Sequence, residues 1–386
     1  MYINREAEEL LRKKLIEPKA LLILGARQVG KTTLVKHVLA GSRNVFLNLD
    51  IESDWSRLRA AATLPPADAM VTFGNPDVLV VDEAQRKTET GRIVKGWFDA
   101  DVRVKIVLLG SSSLDLLDQA AESLTGRNIK INLPPLLFRE VVAAQSWFSK
   151  VFSYPDIAEK FSGQVQTLLM QNLAYGNYPE AVISEDKRGY LLNLTSDYLL
   201  KDVLQMGLVK DPNMIRKLLM LLAHQAGSVV SVNELSVKIG ISRATVERYL
   251  DLLERTFVVF RLPAYSTNPR KEISKSQKIY FWDTGIRNAL INEFSDNPLR
   301  SDIGSLWENW VVAEFAKQNL LYGNRKNLYF WRSRAGAEVD LVVKDEDGIV
   351  AYEIKWTRDQ VDGRAFYNQY GVKPRVVNRS NPFVEI

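Results

Sequence analysis

The stretch ALLILGARQVGKTTLVKHVL, residues 20–39, carries three signals in succession. Ala20-Leu-Leu-Ile-Leu24 is a short apolar run, the pattern of a strand buried on both faces of a parallel sheet. Gly25-Ala-Arg-Gln-Val-Gly-Lys-Thr32 fits G-x-x-x-x-G-K-[ST], a loop that cradles phosphates. Thr33-Leu-Val-Lys-His-Val-Leu39 then resumes with helical spacing. Strand, glycine loop and helix together predict an α/β fold with a P-loop. The backbone of Gly25, Ala26, Arg27, Gln28, Val29, Gly30, Lys31, Thr32 and Thr33 is expected to wrap the phosphates of ATP. Lys31 is expected to reach the β- and γ-phosphates, and the Thr32 hydroxyl to ligate Mg²⁺. The N-terminus of the following helix adds a favourable dipole.

Such a loop needs a second strand that ends in a carboxylate. Val78-Leu-Val-Val-Asp-Glu83 supplies it. Four apolar residues predict a buried strand, and Asp82 falls at its C-terminal end, where α/β sheets bind ligands. Asp82 is expected to hold Mg²⁺ and Glu83 to polarise the attacking water. A third buried strand, residues 105–110, runs into Ser111-Ser112-Ser113. Two readings stand for these serines: a sensor of the γ-phosphate, or an N-cap for a helix beginning at Leu114.

Five stretches carry a family resemblance: Gly25-Ala-Arg-Gln-Val-Gly-Lys-Thr-Thr-Leu34, Val80-Val-Asp-Glu-Ala-Gln85, Leu109-Gly-Ser-Ser-Ser113, Leu124-Thr-Gly-Arg127 and Leu133-Pro-Pro-Leu-Leu-Phe-Arg-Glu140. Here the chain resembles a large bacterial and archaeal family of AAA-type ATPases with an uncharacterised C-terminal region. The resemblance implies that Arg127 is an arginine finger or sensor, neutralising charge on the transferring phosphoryl group across a homo-oligomer interface. The plain alternative is an exposed arginine ahead of the strand at Ile129-Lys-Ile131.

The whole chain sets bounds on this reading. Its 386 residues predict more than one domain. It has no cysteine and two histidines, His37 and His224, which excludes disulfides and thiolate zinc sites. Any metal is expected to be held by carboxylates, which points to Mg²⁺ or Mn²⁺. The charged start MYINREAEELLRKK has no signal-peptide core, and no apolar run reaches the length of a membrane span. A cytoplasmic protein without membrane contact is expected. The net charge of +5 is compatible with nucleic acid as a partner.

Residues from 151 to about 205 show helical periodicity, broken at Tyr175-Gly-Asn-Tyr-Pro-Glu180 and resumed at Tyr198-Leu-Leu-Lys-Asp-Val-Leu204. Both stretches resemble the family's helical lid, which usually has two glycines where this chain has Gly176-Asn177. Asn tolerates left-handed backbone, so the departure is expected to be harmless. A helix over residues 214–226 precedes two more, residues 232–240 and 241–254, separated by Gly240. The second is capped by Ser242, a helix-turn-helix signal. Val258-Val-Phe-Arg-Leu262 is then the first strand of a wing. In a DNA reader, Arg243, Thr245 and Arg248 would face the groove. A protein–protein module is the other reading.

AEVDLVVKDEDGIVAYEIK, residues 337–355, reads as a hairpin turning at Asp347-Gly348. A two-residue loop sets Asp340 opposite Lys355, and a four-residue loop sets it opposite Glu353. Either register gathers Asp340, Glu353 and Lys355 on one face, with Val339, Leu341, Val343, Tyr352 and Ile354 on the other. Two carboxylates and a lysine suit metal-dependent phosphodiester cleavage, with Asp340 and Glu353 as ligands and Lys355 acting on water. The pattern resembles the restriction-endonuclease-like fold, which often adds a glutamate from a preceding helix. Residues 305–315 offer Glu308 and Glu314, and the resemblance favours Glu308. A solvated charged face is the plain alternative.

The expected architecture is a parallel-sheet AAA-type ATPase domain (1–150), a helical lid (151–210), a winged helix-turn-helix (211–270) and a restriction-endonuclease-like α/β domain (271–386). The expected function is ATP hydrolysis coupled to a DNA-binding, metal-dependent DNA-cleaving rear half. The alternative is an ATP-dependent switch whose non-catalytic rear half binds DNA or a protein.

Overall fold

The computed structural model describes residues 1–110, 124, 126–199, 211–266 and 277–385. Ser111, Ser112 and Ser113, the helix expected at Leu114 and the resumed lid segment after 199 lie outside the described residues. The chain divides into two compact units, residues 4–134 and residues 1–3 with 135–386.

The front unit is built on five parallel strands: β1 (Ala20–Leu24), β2 (Asn44–Asn48), β3 (Val78–Asp82), β4 (Lys105–Gly110) and β5 (Asn128–Asn132), in the order β2-β3-β4-β1-β5. Every residue of β1 and β3 is buried. This is why both read as continuous apolar runs rather than alternating ones. Because all five run the same way, the loop after β1 and the acidic end of β3 emerge on one edge of the sheet.

The rear unit opens with helices Phe138–Ala143, Tyr154–Lys160, Ser162–Tyr175, Pro179–Ile183 and Lys187–Asn193. Next come helix Pro212–His224, strand β6 (Val229–Val230), helices Val232–Ile239 and Arg243–Arg255, and strands β7 (Val259–Pro263) and β8 (Gln277–Phe281). Their antiparallel sheet has the order β6-β8-β7. Gly240, at φ 82°, ends one helix, and the Ser242 hydroxyl accepts the Thr245 amide at 3.1 Å to start the next. The last third is helix Ile303–Leu321, strands β9 (Asn327–Arg332), β10 (Glu338–Asp345) and β11 (Gly348–Ile354), helix Arg364–Tyr370 and strand β12 (Arg375–Val377). β9, β10 and β11 form an antiparallel meander, and β12 joins β11 in parallel.

Helix Ile303–Leu321 is the hub of this unit, buried on all sides. Its Trp307, Trp310 and Phe315 share one core with Leu341, Val343 and Ile354 of the four-stranded sheet and with Phe260 and Tyr280 of the three-stranded one. Leu169 and Leu173 of helix Ser162–Tyr175 complete it. Among the described residues, no helix is long and apolar enough to cross a membrane.

Burial on all sides forces the hub's polar side chains to find partners inside. Glu314 and Lys317, each about 3% exposed, pair at 2.8 Å. Glu314 also accepts the Phe138 amide at 2.9 Å and the Asn177 side-chain amide at 3.3 Å. Lys317 donates to the Leu136 carbonyl. Asp283 caps helix Thr284–Ile291 through the Ile286 amide and accepts the Asn177 amide at 2.6 Å. Burial raises the Asp283 pKa, and Lys317 and the amides oppose that rise.

Two expectations are corrected here. Only Gly176 of the Gly176-Asn177 pair takes positive φ, at 70° with ψ −163°. Asn177 contributes hydrogen bonds instead of left-handed backbone. Val339 packs with Val342 and Ala351, on the face opposite Leu341 and Val343. A bulge in β10 is the cause: Asp340 and Leu341 together stand across from Phe330, which shifts the alternation by one.

A Cβ at position 176 would overlap the Asp283 carboxylate, and its backbone sits in a region nearly confined to glycine. Gly176→Ala should therefore destabilise the protein by at least about 2 kcal/mol. The check is the urea midpoint at constant slope; a midpoint within error of the parent would contradict this account.

Candidate functional site

The loop after β1 has the geometry its sequence demands. A Cβ on Gly25 would overlap the Leu133 carbonyl, and Gln28 and Gly30 both have positive φ, 60° and 92°. Gly30 opens helix Lys31–Val38. Lys31 is buried and turns back on the loop, donating to the carbonyls of Gly25 at 2.9 Å and Ala26 at 2.8 Å. The Thr32 hydroxyl donates to Asp82 Oδ2 at 2.6 Å, and Asp82 Oδ1 accepts the Glu83 amide at 2.9 Å. Glu83 follows β3 in left-handed backbone, φ 52°, and its carboxylate accepts the Gln85 side-chain amide. Lys31, Thr32, Asp82 and Glu83 are thus gathered at one sheet edge. A hydroxyl and a carboxylate oxygen that close together fit a hard divalent ion.

Arg127 lies elsewhere in the front unit. Its carbonyl accepts the Ala20 amide at the start of β1, and its guanidinium pairs with Asp99 at 2.6 Å. Five strand residues, about 16 Å, separate that edge from the edge carrying the loop. Arg127 does not reach the loop of its own chain. Arg5, which the sequence reading passed over, does approach it. Its guanidinium is buried and donates to the carbonyls of Val29 at 3.0 Å and Pro134 at 2.8 Å. A single arginine in a charged N-terminal stretch gives no periodic signal by which to find it.

In the rear unit the hairpin turns one residue earlier than expected, at Glu346-Asp347, with Asp345 paired to Gly348. The Asp345 carboxylate accepts the Asp347 amide at 3.0 Å, which favours this turn over Asp347-Gly348. The ladder continues so that Asp340 stands opposite Glu353. Lys355 Nζ lies 2.7 Å from Asp340 Oδ2 and 2.9 Å from Glu353 Oε2, and Asp340 also accepts the Ile354 amide at 2.7 Å. The predicted trio does meet, and both carboxylates are buried. Burial pushes the Glu353 carboxyl up, and Asp340 beside it pushes the same way. Burial alone would lower Lys355, but Asp340 and Glu353 outweigh it and hold the ammonium above the usual lysine range.

Glu308 is within electrostatic range of Asp340 but is engaged otherwise. Its Oε1 accepts Lys278 Nζ at 2.9 Å and the Tyr280 hydroxyl at 2.6 Å, both from β8. Burial raises the Glu308 carboxyl, Lys278 opposes the rise and Asp340 reinforces it. Glu314 faces the buried polar knot instead. Among the described residues, no three His, Asp or Glu side chains are arranged to hold a metal ion. Asp340 and Glu353 alone suit a hard divalent ion; Glu308 as placed does not complete the set. Arg332 lies near Glu338 at the exposed rim, and Arg334 is exposed.

On helix Arg243–Arg255, Arg243 and Arg248 are exposed. Thr245 is half-buried, with its hydroxyl 2.8 Å from that of Ser242, so it belongs to the cap as much as to any surface. Arg261 on β7 gathers Glu247, Asp251 and Glu254 of the same helix, which fixes helix against sheet.

Residues 17–142 match a family described as AAA domain, and residues 166–297 and 303–381 match two families described as domains of unknown function, DUF8612 and DUF4143. An uncharacterized protein of Mycobacterium tuberculosis (strain ATCC 25618 / H37Rv) is 28% identical over 358 residues, covering 92% of this chain and 74% of that one. One of Methanocaldococcus jannaschii is 26% identical over 380 residues, covering 94% and 80%. Among solved structures, the Walker-type ATPase PABY2304 of Pyrococcus abyssi aligns with a TM-score of 0.50 at 15% identity, over 75% of this chain and 96% of that one. Over residues 17–142 the front unit thus matches the AAA domain family and carries a P-loop on a parallel sheet, joined in one chain to two regions that match families of unknown function.

Proposed function

We propose that the chain hydrolyses ATP in its front unit and that its rear unit engages duplex DNA. The observation that carries the first part is the 2.6 Å contact between Thr32 and Asp82 beside a P-loop lysine. Lys31 exchanges its two loop carbonyls for the β- and γ-phosphates. Thr32 and Asp82 would hold Mg²⁺, which would supply charge to offset that of the phosphates. Glu83, next to Asp82 at the same edge, orients and polarises water. Arg127 acts in trans, on the nucleotide of a second copy, because its own loop lies at the other end of β1 and β5.

In the rear unit, helix, strand, two helices around a Gly240 turn and two further strands have the order of a winged helix. Arg243 and Arg248 give that module cationic side chains without a carboxylate partner in the described ion pairs. The following α-β-β-β-α-β segment supports a restriction-endonuclease-like domain. There Asp340 and Glu353 would hold Mg²⁺ or Mn²⁺, which supplies charge neutralisation at a phosphodiester. Lys355 would hold the phosphate or its attacking water. A second reading, binding of DNA without cleavage, is favoured by the commitment of Glu308 to Lys278 and Tyr280.

Lys31→Ala should abolish nucleotide binding, and Glu83→Gln should bind ATP yet hydrolyse it about 100-fold more slowly. Turnover by Glu83→Gln equal to the parent's would remove Glu83 from its role. If Arg127 acts in trans, mixing Arg127→Ala with Lys31→Ala chains restores part of the lost turnover; no gain on mixing would argue against it. Duplex binding should weaken with salt, with a log–log slope of about −0.9 per phosphate contacted. Arg243→Ala with Arg248→Ala should flatten that slope, and salt-independent association would point to a protein partner. Plasmid nicking that needs Mg²⁺ or Mn²⁺ and disappears in Asp340→Ala would separate cleavage from binding alone.

A further inference from the structure

Lys278 is the most deeply buried charged side chain around the rear site, about 2% exposed. It comes from β8, outside the segment that carries Asp340, Glu353 and Lys355. Its ammonium lies 2.9 Å from Glu308 Oε1 and 2.5 Å from Glu338 Oε1, and 5.5 Å from the centre of the Phe330 ring. Glu308 comes from the hub helix and Glu338 from the first position of β10. Tyr280, two residues along β8 and so on the same face as Lys278, donates its hydroxyl to the same Glu308 oxygen. Gly227 also closes on this carboxylate, where a Cβ would stand 3.2 Å from Oε1 and 3.5 Å from Oε2.

A lysine this deeply buried stays charged only if its partners offset the lost hydration, and two carboxylates do so here. Two carboxylates converging on one cation are also what a divalent ion would ask of Glu308 and Glu338. The place is therefore already filled by a charge that is covalently part of the chain and cannot exchange.

We infer that Lys278 is a built-in cation of the rear site, holding Glu308 and Glu338 together in place of a divalent ion. Lys355 bridges Asp340 and Glu353 in the same way, but its side chain is 32% exposed against 2% for Lys278, so it can swing out where Lys278 cannot. Exchangeable metal is thereby confined to Asp340 and Glu353. The first statement stands on the Lys278 geometry alone; the second rests on the metal reading of Asp340 and Glu353 given above.

The test is Mn²⁺ titration by calorimetry, without nucleotide, in a Thr32→Ala, Asp82→Ala background that silences the front site. Glu308→Gln should leave Mn²⁺ affinity within about twofold of that background protein. Lys278→Met should bind one additional Mn²⁺, and the added ion should be lost in Lys278→Met with Glu308→Gln. Loss of tenfold or more in affinity from Glu308→Gln alone would overturn the inference. So would a folded Lys278→Met that binds no additional ion. If Lys278→Met is unfolded without metal, recovery of its circular dichroism on adding Mn²⁺ supports the inference, and failure to recover overturns it. Asp340→Asn is the separate arm: retention of the background protein's Mn²⁺ binding there removes the Asp340–Glu353 reading and leaves the role of Lys278 standing.

Discussion

The rear unit depends on a buried ion pair, Glu314 with Lys317, one turn apart on a helix that has no solvent face. Two charges in such a place are costly unless every lone pair and proton is used. Here the surplus valences reach outward to the Phe138 amide, the Leu136 carbonyl and the Asn177 side chain. Removing either partner would strand the other and cost about 3–5 kcal/mol. Two segments remote in sequence, 136–138 and Asn177, are therefore fixed by the hydrogen-bonding needs of two side chains, and the hub helix cannot turn or slide without breaking them together. That rigidity is what lets Glu308, further along the same helix, meet Lys278 and Tyr280 of β8 at a defined position.

The front unit works under a different constraint, backbone approach. The segment just after β5 passes so close to the P-loop that residue 25 has no room for a side chain, and Arg5 ties Val29 of the loop to Pro134. The loop is thus bounded by backbone carbonyls, and Lys31 uses two of them. The ammonium is held by neutral acceptors, which an anion can outcompete.

Much of this was legible from sequence where the signal is local. The P-loop, the strand ending in Asp82, the Ser242 cap and the alternation of residues 337–355 each declare themselves within a few residues, because strand and helix periods and capping chemistry act at that range. What stayed hidden was set by tertiary placement. Lys278 sits in an unremarkable strand and gains its meaning only from Glu308, 30 residues later. Glu308 and Glu314 both looked available for a metal site, yet each is claimed by a lysine whose position no spacing rule gives. The bulge in β10 was invisible for the same reason: it is a property of the pairing with β9, and it moved Val339 to the other face although the alternation of the sequence is unbroken. Asn177 was read through its backbone tolerance, and the structure uses its side chain.

The bulge also separates two demands that usually fall on the same residue. Asp340 occupies the stretch of β10 where regular pairing with β9 has already been given up, so that pairing does not depend on what side chain stands there. Its one backbone obligation is to accept the Ile354 amide, which an asparagine oxygen would also meet. An asparagine there would drop the charge and keep the acceptor, so the acid itself answers to Lys355 and not to the backbone of the sheet.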